Sequence, residues 1–196
     1  MNGERTMDKA FRAIRVITVP PVFALVFLLV VYGRQPGVFA SAGQCACAVL
    51  FLGALPILGY PLQKCIPYFR DKGREGQQSL AMICSATGYL LGFASAAMSQ
   101  ASRALVVIYL EYLLCGIAML VFNRGFHLRA SGHACGIVAP VLLLADFRLY
   151  VPAAVGALLI VPVLVSSVKT KRHSAAQLFG GCLIAAVCLA GVELLL

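Results

Sequence analysis

The sequence predicts an all-α protein: a polytopic membrane helix bundle of about seven spans, with six possible. Three observations carry that prediction. The chain of 196 residues is 61% hydrophobic and only 12% charged, with a mean hydropathy of +0.93; an ordinary soluble domain is about half apolar and about a quarter charged. So little polar surface excludes folding alone in water, and so much apolar content excludes disorder. The apolar residues also come in runs of roughly 20, the length that carries a helix across the hydrocarbon core. Finally, the basic residues collect in short segments between those runs. A net charge of +9 in a soluble protein would suggest nucleic acid. Here membrane topology and anionic head groups explain it better, so the expected partner is the bilayer and no nucleic acid.

Taken in order, residues 1–15 carry Arg5, Lys9, Arg12 and Arg15 and read as a basic cytoplasmic leader. They are not a signal peptide, because the next run is a full span without a small-residue cleavage site. Residues 16–196 read as a single transmembrane helical domain. Span 1 is predicted over about 16–32, with Pro20-Pro21 in its first turn, where proline costs little. Span 2 covers about 37–60, after the turn Gly33-Arg34-Gln35-Pro36. A polar loop follows over 61–78, then span 3 over about 79–98, rich in Ala, Ser and Gly that permit close helix approach in lipid. Span 4, about 104–122, holds Glu111 near its middle, and a mid-span carboxylate is a functional hypothesis by default. Span 5, about 131–145, is short for a crossing. Span 6 runs over about 149–168 and span 7 over about 173–196. With the N-terminus inside, thirteen basic residues fall on the inner side and only Arg34, Arg103 and Arg148 on the outer. That split predicts a cytoplasmic N-terminus and cytoplasmic loops at 61–78, 123–130 and 169–172.

Eight cysteines are present. All but Cys65 lie within apolar runs and no C-x-x-C pair occurs, so they read as small apolar core residues. No metal site and no cofactor are expected.

Chemistry concentrates at two helix starts. In Arg129-Ala130-Ser131-Gly132-His133, Ser131 can cap a helix whose free N–H groups and dipole favour an anion, with His133 placed to exchange protons with it. In the second segment, Ser166 to Gly181, Lys171 and Arg172 stand directly before His173, again at a helix start. One helical hairpin separates the two histidines and returns the chain to the same membrane face. The pair could act as nucleophile and general acid on a phosphate ester.

These segments resemble the type-2 phosphatidic acid phosphatase superfamily, whose motifs are K-x6-R-P, P-S-G-H and S-R-x5-H-x3-D. Ser131-Gly132-His133 matches the second, with Ala130 in the proline place. In the third, Ser166 fits the serine, His173 follows seven residues later, and Gly181 suits the following glycine. Ser167 replaces the arginine and Gln177 the aspartate that orients the histidine; glutamine can still accept a hydrogen bond from an imidazole N–H. No K-x6-R-P occurs; Asp71-Lys72-Gly73-Arg74-Glu75 stands on the corresponding face. The resemblance spans about residues 61–191 and is most specific over 129–181. It implies His173 as the phosphate-attacking nucleophile, His133 as the acid for the leaving oxygen and Gln177 as the orienting group. It also implies phosphate binding by Lys72, Arg74, Arg129, Ser131, Gly132, Lys171 and Arg172. The implied activity is metal-independent hydrolysis of a lipid phosphate or diphosphate (polyprenyl diphosphate or phosphatidate-like) in the cell membrane. The alternatives are a non-hydrolytic lipid-phosphate binding or transport protein and a head-group phosphotransferase.

Overall fold

The computed structural model describes residues 19–126 and 128–196, so the basic leader at 1–15 lies outside the described residues. Among those residues the chain is helical with no strand. The helices are α1 (Pro20–Arg34), α2 (Ala42–Leu62), the short α3 (Pro67–Arg70), α4 (Gly73–Met98), α5 (Arg103–Gly125), α6 (Gly132–Asp146), α7 (Tyr150–Lys169) and α8 (Ala175–Leu195). Five of them, α2, α4, α5, α7 and α8, are long and apolar enough to cross a membrane, while α1 and α6 are shorter apolar helices. This fits an integral, multi-pass membrane protein.

Local chemistry sets the boundaries. Pro20 and Pro21 open α1, where no N–H is required. Ser102, Ser131 and Ser174 cap α5, α6 and α8, each side chain accepting a backbone N–H of the first turn. A π-helical stretch, Val49–Ala54, stands just ahead of Pro56 in α2. It shifts the hydrogen-bond register where proline supplies no donor. One boundary differs from the sequence expectation. The polar stretch to residue 78 is not loop throughout, because α4 already begins at Gly73. Gly73 takes a left-handed turn (φ +54°), and the buried Gln63 amide holds that turn by donating to the carbonyls of Phe69 (2.9 Å) and Gly73 (3.0 Å). Arg74, Gln77 and Gln78 therefore sit on a helix.

The packing forms a closed ring in the order α1, α2, α4, α5, α8, α6, with α6 also touching α5 and α7 lying outside against α6. Small residues make this possible. Gly88 and Gly92 of α4 bring it against the Phe51 carbonyl of α2 and the Tyr109 ring of α5. The two ends of the ring differ. At one end Phe27, Leu28, Val31, Leu105, Ile108, Tyr109 and Leu143 form a filled core. That end is fastened by the Arg103–Glu193 ion pair (2.8 Å), by Ser102 donating to the Val38 carbonyl (2.6 Å) and by Gln35 donating to the Phe147 carbonyl (3.1 Å). At the other end the ring is hollow.

Candidate functional site

The hollow end is a cavity of about 1290 Å³. Its walls come from the start of α1, the end of α2, the first half of α4, the second half of α5, the first half of α6 and the α7–α8 connection. Pro20, Pro56, Met82, Met119 and Ala139 give it apolar walls, and Arg74, Arg124, Lys169, Lys171 and Arg172 give it cations. Among the described residues, no Asp or Glu lines it. His133 and His173 both line it, and both are partly buried.

The two histidine segments are joined directly. The Ser131 N–H donates to the Gln177 carbonyl at 2.9 Å. Beside that bond, a Cβ on Gly181 would meet the Ser131 carbonyl, and would lie 3.1 Å from the Cys135 nitrogen. Only glycine lets the first turns of α8 and α6 come this close. Ser131 is fully buried, its hydroxyl accepting from the Ala134 N–H at 3.3 Å, so the start of α6 is held rigidly where His133 emerges.

His173 precedes α8, and its Nδ1 lies 3.2 Å from Gln177 Oε1. The same oxygen accepts the Ser174 backbone N–H at 3.2 Å, while Ser174 Oγ accepts the Gln177 N–H at 3.2 Å. This reciprocal capping box fixes the amide orientation. An amide oxygen has no proton to give, so neutral His173 carries its proton on Nδ1 and its lone pair on Nε2.

Of the residues singled out in the sequence, Arg74, Gly132, His133, Lys171, Arg172 and His173 line this one cavity. Gln177 does not line it, but contacts His173 from behind. Lys72, Arg129 and Ser131 are not among its lining residues either, so of the five cations singled out in the sequence the cavity brings together Arg74, Lys171 and Arg172. Lys72 is engaged elsewhere: it donates to Tyr68 Oη at 2.8 Å and stands 4.0 Å above that ring. That hydrogen bond holds the Tyr68 hydroxyl below its ordinary pKa. Arg129 is exposed and takes a left-handed conformation (φ 49°) two residues before the buried cap. In the third motif segment Ser166 and Ser167 are buried inside α7, Ser167 donating to the Val163 carbonyl at 3.0 Å.

Sequence reasoning missed Arg124, Lys169, Asn123, Gln77 and Gln78 among the lining residues. Their signal was the polar flank of each apolar run, but the walls they belong to are set by which helices become neighbours. Glu111 is fully buried. Cys115, one turn later on the same helix, donates to Glu111 Oε1 at 3.2 Å. The i, i+4 spacing of Glu111 and Cys115 was readable from the sequence. Cys115 and Cys135 form part of the cavity floor and pack with Cys188. Compared with known proteins, the chain matches no family model, no curated protein and no solved structure.

Proposed function

We propose that this protein is a membrane lipid phosphatase. It hydrolyses a lipid phosphate or diphosphate, polyprenyl diphosphate or phosphatidate-like, through a phosphohistidine on His173 and without metal chemistry. The reading rests on the resemblance of its motifs to the type-2 phosphatidic acid phosphatase superfamily. The observation that carries it is convergence: both histidines with Arg74, Lys171 and Arg172, from the starts of α4 and α6 and from the α7–α8 connection, line one cavity with no carboxylate among the described lining residues.

The chemistry follows from the geometry. His173 Nε2 attacks phosphorus, and the bond from phosphorus to the leaving oxygen breaks. His133 gives its proton to that oxygen, which departs as an alcohol or, from a diphosphate, as a phosphate ester. Water then attacks the phosphohistidine phosphorus and gives its proton to His133. The N–P bond breaks and inorganic phosphate leaves. Arg74, Lys171 and Arg172 hold the non-bridging oxygens, where charge accumulates in both steps. The first N–H groups of α6 add a partial positive charge. The apolar walls receive the lipid tail. With the seven spans expected from the sequence, the excess of Lys and Arg at the cavity end supports, by the positive-inside rule, a cytoplasmic site.

The test is phosphate release from a panel of lipid phosphates and diphosphates by the protein in nanodiscs containing chelator. Release from at least one lipid, abolished by His173→Ala, is the expected result. Saturable binding without turnover, or a product that forms only with an added acceptor alcohol, would overturn it in favour of a binder or a phosphotransferase.

A further inference from the structure

The helices around the cavity do not keep the same neighbours along their length. In the middle of the bundle α4 and α5 meet. A Cβ on Gly92 would strike the Tyr109 ring, the Tyr89 and Tyr112 rings stand 5.5 Å apart, and a Cβ on Gly116 would lie 3.4 Å from Tyr89. Toward the hollow end each helix is tied elsewhere. α4 is held to α2, where a Cβ on Gly59 would lie 2.6 Å from the Ala81 Cα, and to α3, where Gly76 lies against the Phe69 carbonyl. α5 is held to the start of α6: Met119 Cε is 3.5 Å from the Cβ position of Gly132, and Asn123 donates to the Ala130 carbonyl at 3.1 Å. Two helices that touch at Gly116 and then lean to different neighbours leave a wedge between them. From Gly116 to Arg124 the wedge is about 12 Å tall, at 1.5 Å per residue.

The wedge is lined out to the bilayer. Ile83 lies two turns before Leu90 on α4, and Leu120 one turn after Ile117 on α5, so each shares an outward face with that residue. All four are about half exposed. Apolar side chains on an outward face are ordinary in a membrane helix. Ile83 and Leu120 differ from Leu90 and Ile117 in also lining the cavity, so here one set of side chains serves both the cavity wall and the bilayer-facing surface. The chemistry is graded as well. Arg74 and Arg124 stand at the top of the wedge, one on each helix, and Met82, Ile83, Ala86, Gly116 and Leu120 come below them. Guanidinium groups at head-group level with apolar side chains beneath match a phosphate-headed lipid standing in its leaflet. Met82, unbranched and pliable, suits tails of differing shape.

We propose that this wedge holds the tail of the lipid whose phosphate lies in the cavity and opens that tail sideways to the bilayer, so that tail length and branching go unread. This rests on the reading of the cavity as a lipid-phosphate site. A sealed cavity of about 1290 Å³ would set an upper limit to the tail it accepts. An open-sided one reads the head group and the carbons next to it, and leaves the rest of the tail among the membrane lipids.

The test uses two pairs of lipids in nanodiscs, each pair sharing a head group: farnesyl with undecaprenyl diphosphate, and didecanoyl with dioleoyl phosphatidate. Within the pair that is hydrolysed, kcat/KM for the long and the short tail should agree within about threefold. Ala86→Trp with Leu120→Trp, both at exposed positions, fills the wedge and should raise KM by about tenfold while kcat stays within about twofold. Leu90→Trp, on α4 but outside the cavity, should leave both constants at their wild-type values. A rate that falls steeply with tail length, or a double variant that keeps the wild-type KM or loses kcat alone, overturns the inference and leaves the phosphatase reading standing. A second readout needs no turnover: analogues of both head groups with a photoreactive tail should label residues 82–86 and 120, and the double tryptophan variant should lose that label. Labelling confined to other helices overturns the inference as well. Labelling of the wedge without hydrolysis of any of the lipids removes the phosphatase reading and keeps the wedge as a lipid-binding groove. Neither hydrolysis nor labelling overturns both.

Discussion

Under the proposed phosphatase reading, replacing Gln177 by Glu should accelerate turnover, and the reason is visible at a single oxygen. Gln177 Oε1 accepts from the Ser174 N–H and lies at the same 3.2 Å from His173 Nδ1. Glutamate keeps the length and shape of glutamine, so both contacts survive, and Glu is equally suited to the capping box. What changes is charge. A neutral hydrogen bond contributes about 0.5–1.5 kcal/mol and one to a charged group about 1.5–3 kcal/mol. The difference, about 1 kcal/mol, applies when the imidazole becomes positive or loses its lone pair to phosphorus. At about 1.4 kcal/mol per tenfold, the chemical step should gain roughly fivefold. Gln177→Leu is the opposing arm. It removes the acceptor, lowers kcat by roughly threefold to tenfold, and weakens the start of α8 by about 1 kcal/mol. The assay is single-turnover phosphate release across pH, with thermal unfolding in parallel. Rates within twofold of wild type for both variants would refute the claim that Gln177 orients the nucleophile.

Further expectations concern the same end of the molecule. His173→Ala should abolish phosphate release and His133→Ala should slow it by about 10²–10⁴-fold; normal release by folded His173→Ala protein would end the phosphohistidine mechanism. Gly181→Ala should drive a methyl into the Ser131 carbonyl, costing about 1–3 kcal/mol and lowering activity, both readable from one thermal and kinetic comparison with Gly191→Ala, where nothing lies within 4 Å. Glu111→Gln should keep the fold and change turnover less than threefold, about the worth of one hydrogen bond; a complete loss of activity would give this carboxyl a chemical role. With all other cysteines removed, exposed Cys65 should resist a membrane-impermeant thiol reagent in intact cells, whereas Gly37→Cys should react; the reverse pattern would put the cavity outside.

Much of this arrangement was legible in local chemistry. Proline at positions 20 and 21 and serine at 131 and 174 mark helix starts because their capping needs no tertiary context. The placement of Gln177 four residues after His173 was readable for the same reason: one turn of helix brings it back. Legibility fails where the answer depends on neighbours. Arg74, Gln77 and Gln78 look like loop residues because they are polar, yet they are helical and polar because that face of α4 lines the cavity. Lys72 and Arg74 are two residues apart and indistinguishable by composition. One enters the cavity wall and the other is taken by Tyr68, a choice made by the left-handed turn at Gly73. Arg124 and Lys169 join the cavity wall only through the packing of α5 and α7 on α6.

The two shorter helices, α1 and α6, pack side by side. At 15 residues each and 1.5 Å per residue, they are about 22 Å tall, whereas the hydrocarbon slab is about 30 Å thick. Their flank of the bundle is therefore a notch. Because α7 covers α6 from outside, the lipid-facing part of this notch is α1, whose Val26 and Leu29 are exposed, and lipids against it must thin or tilt to match its length. Pro20 of α1 and His133 of α6 stand at the floor of that notch, where both helices begin and both border the cavity. Under the proposed function, a lipid head group arriving there would descend several ångströms with the deformed leaflet instead of being pulled out of a flat one. Turnover should thus follow bilayer thickness, with short-chain host lipids, which relieve the mismatch, serving the protein better than long-chain ones.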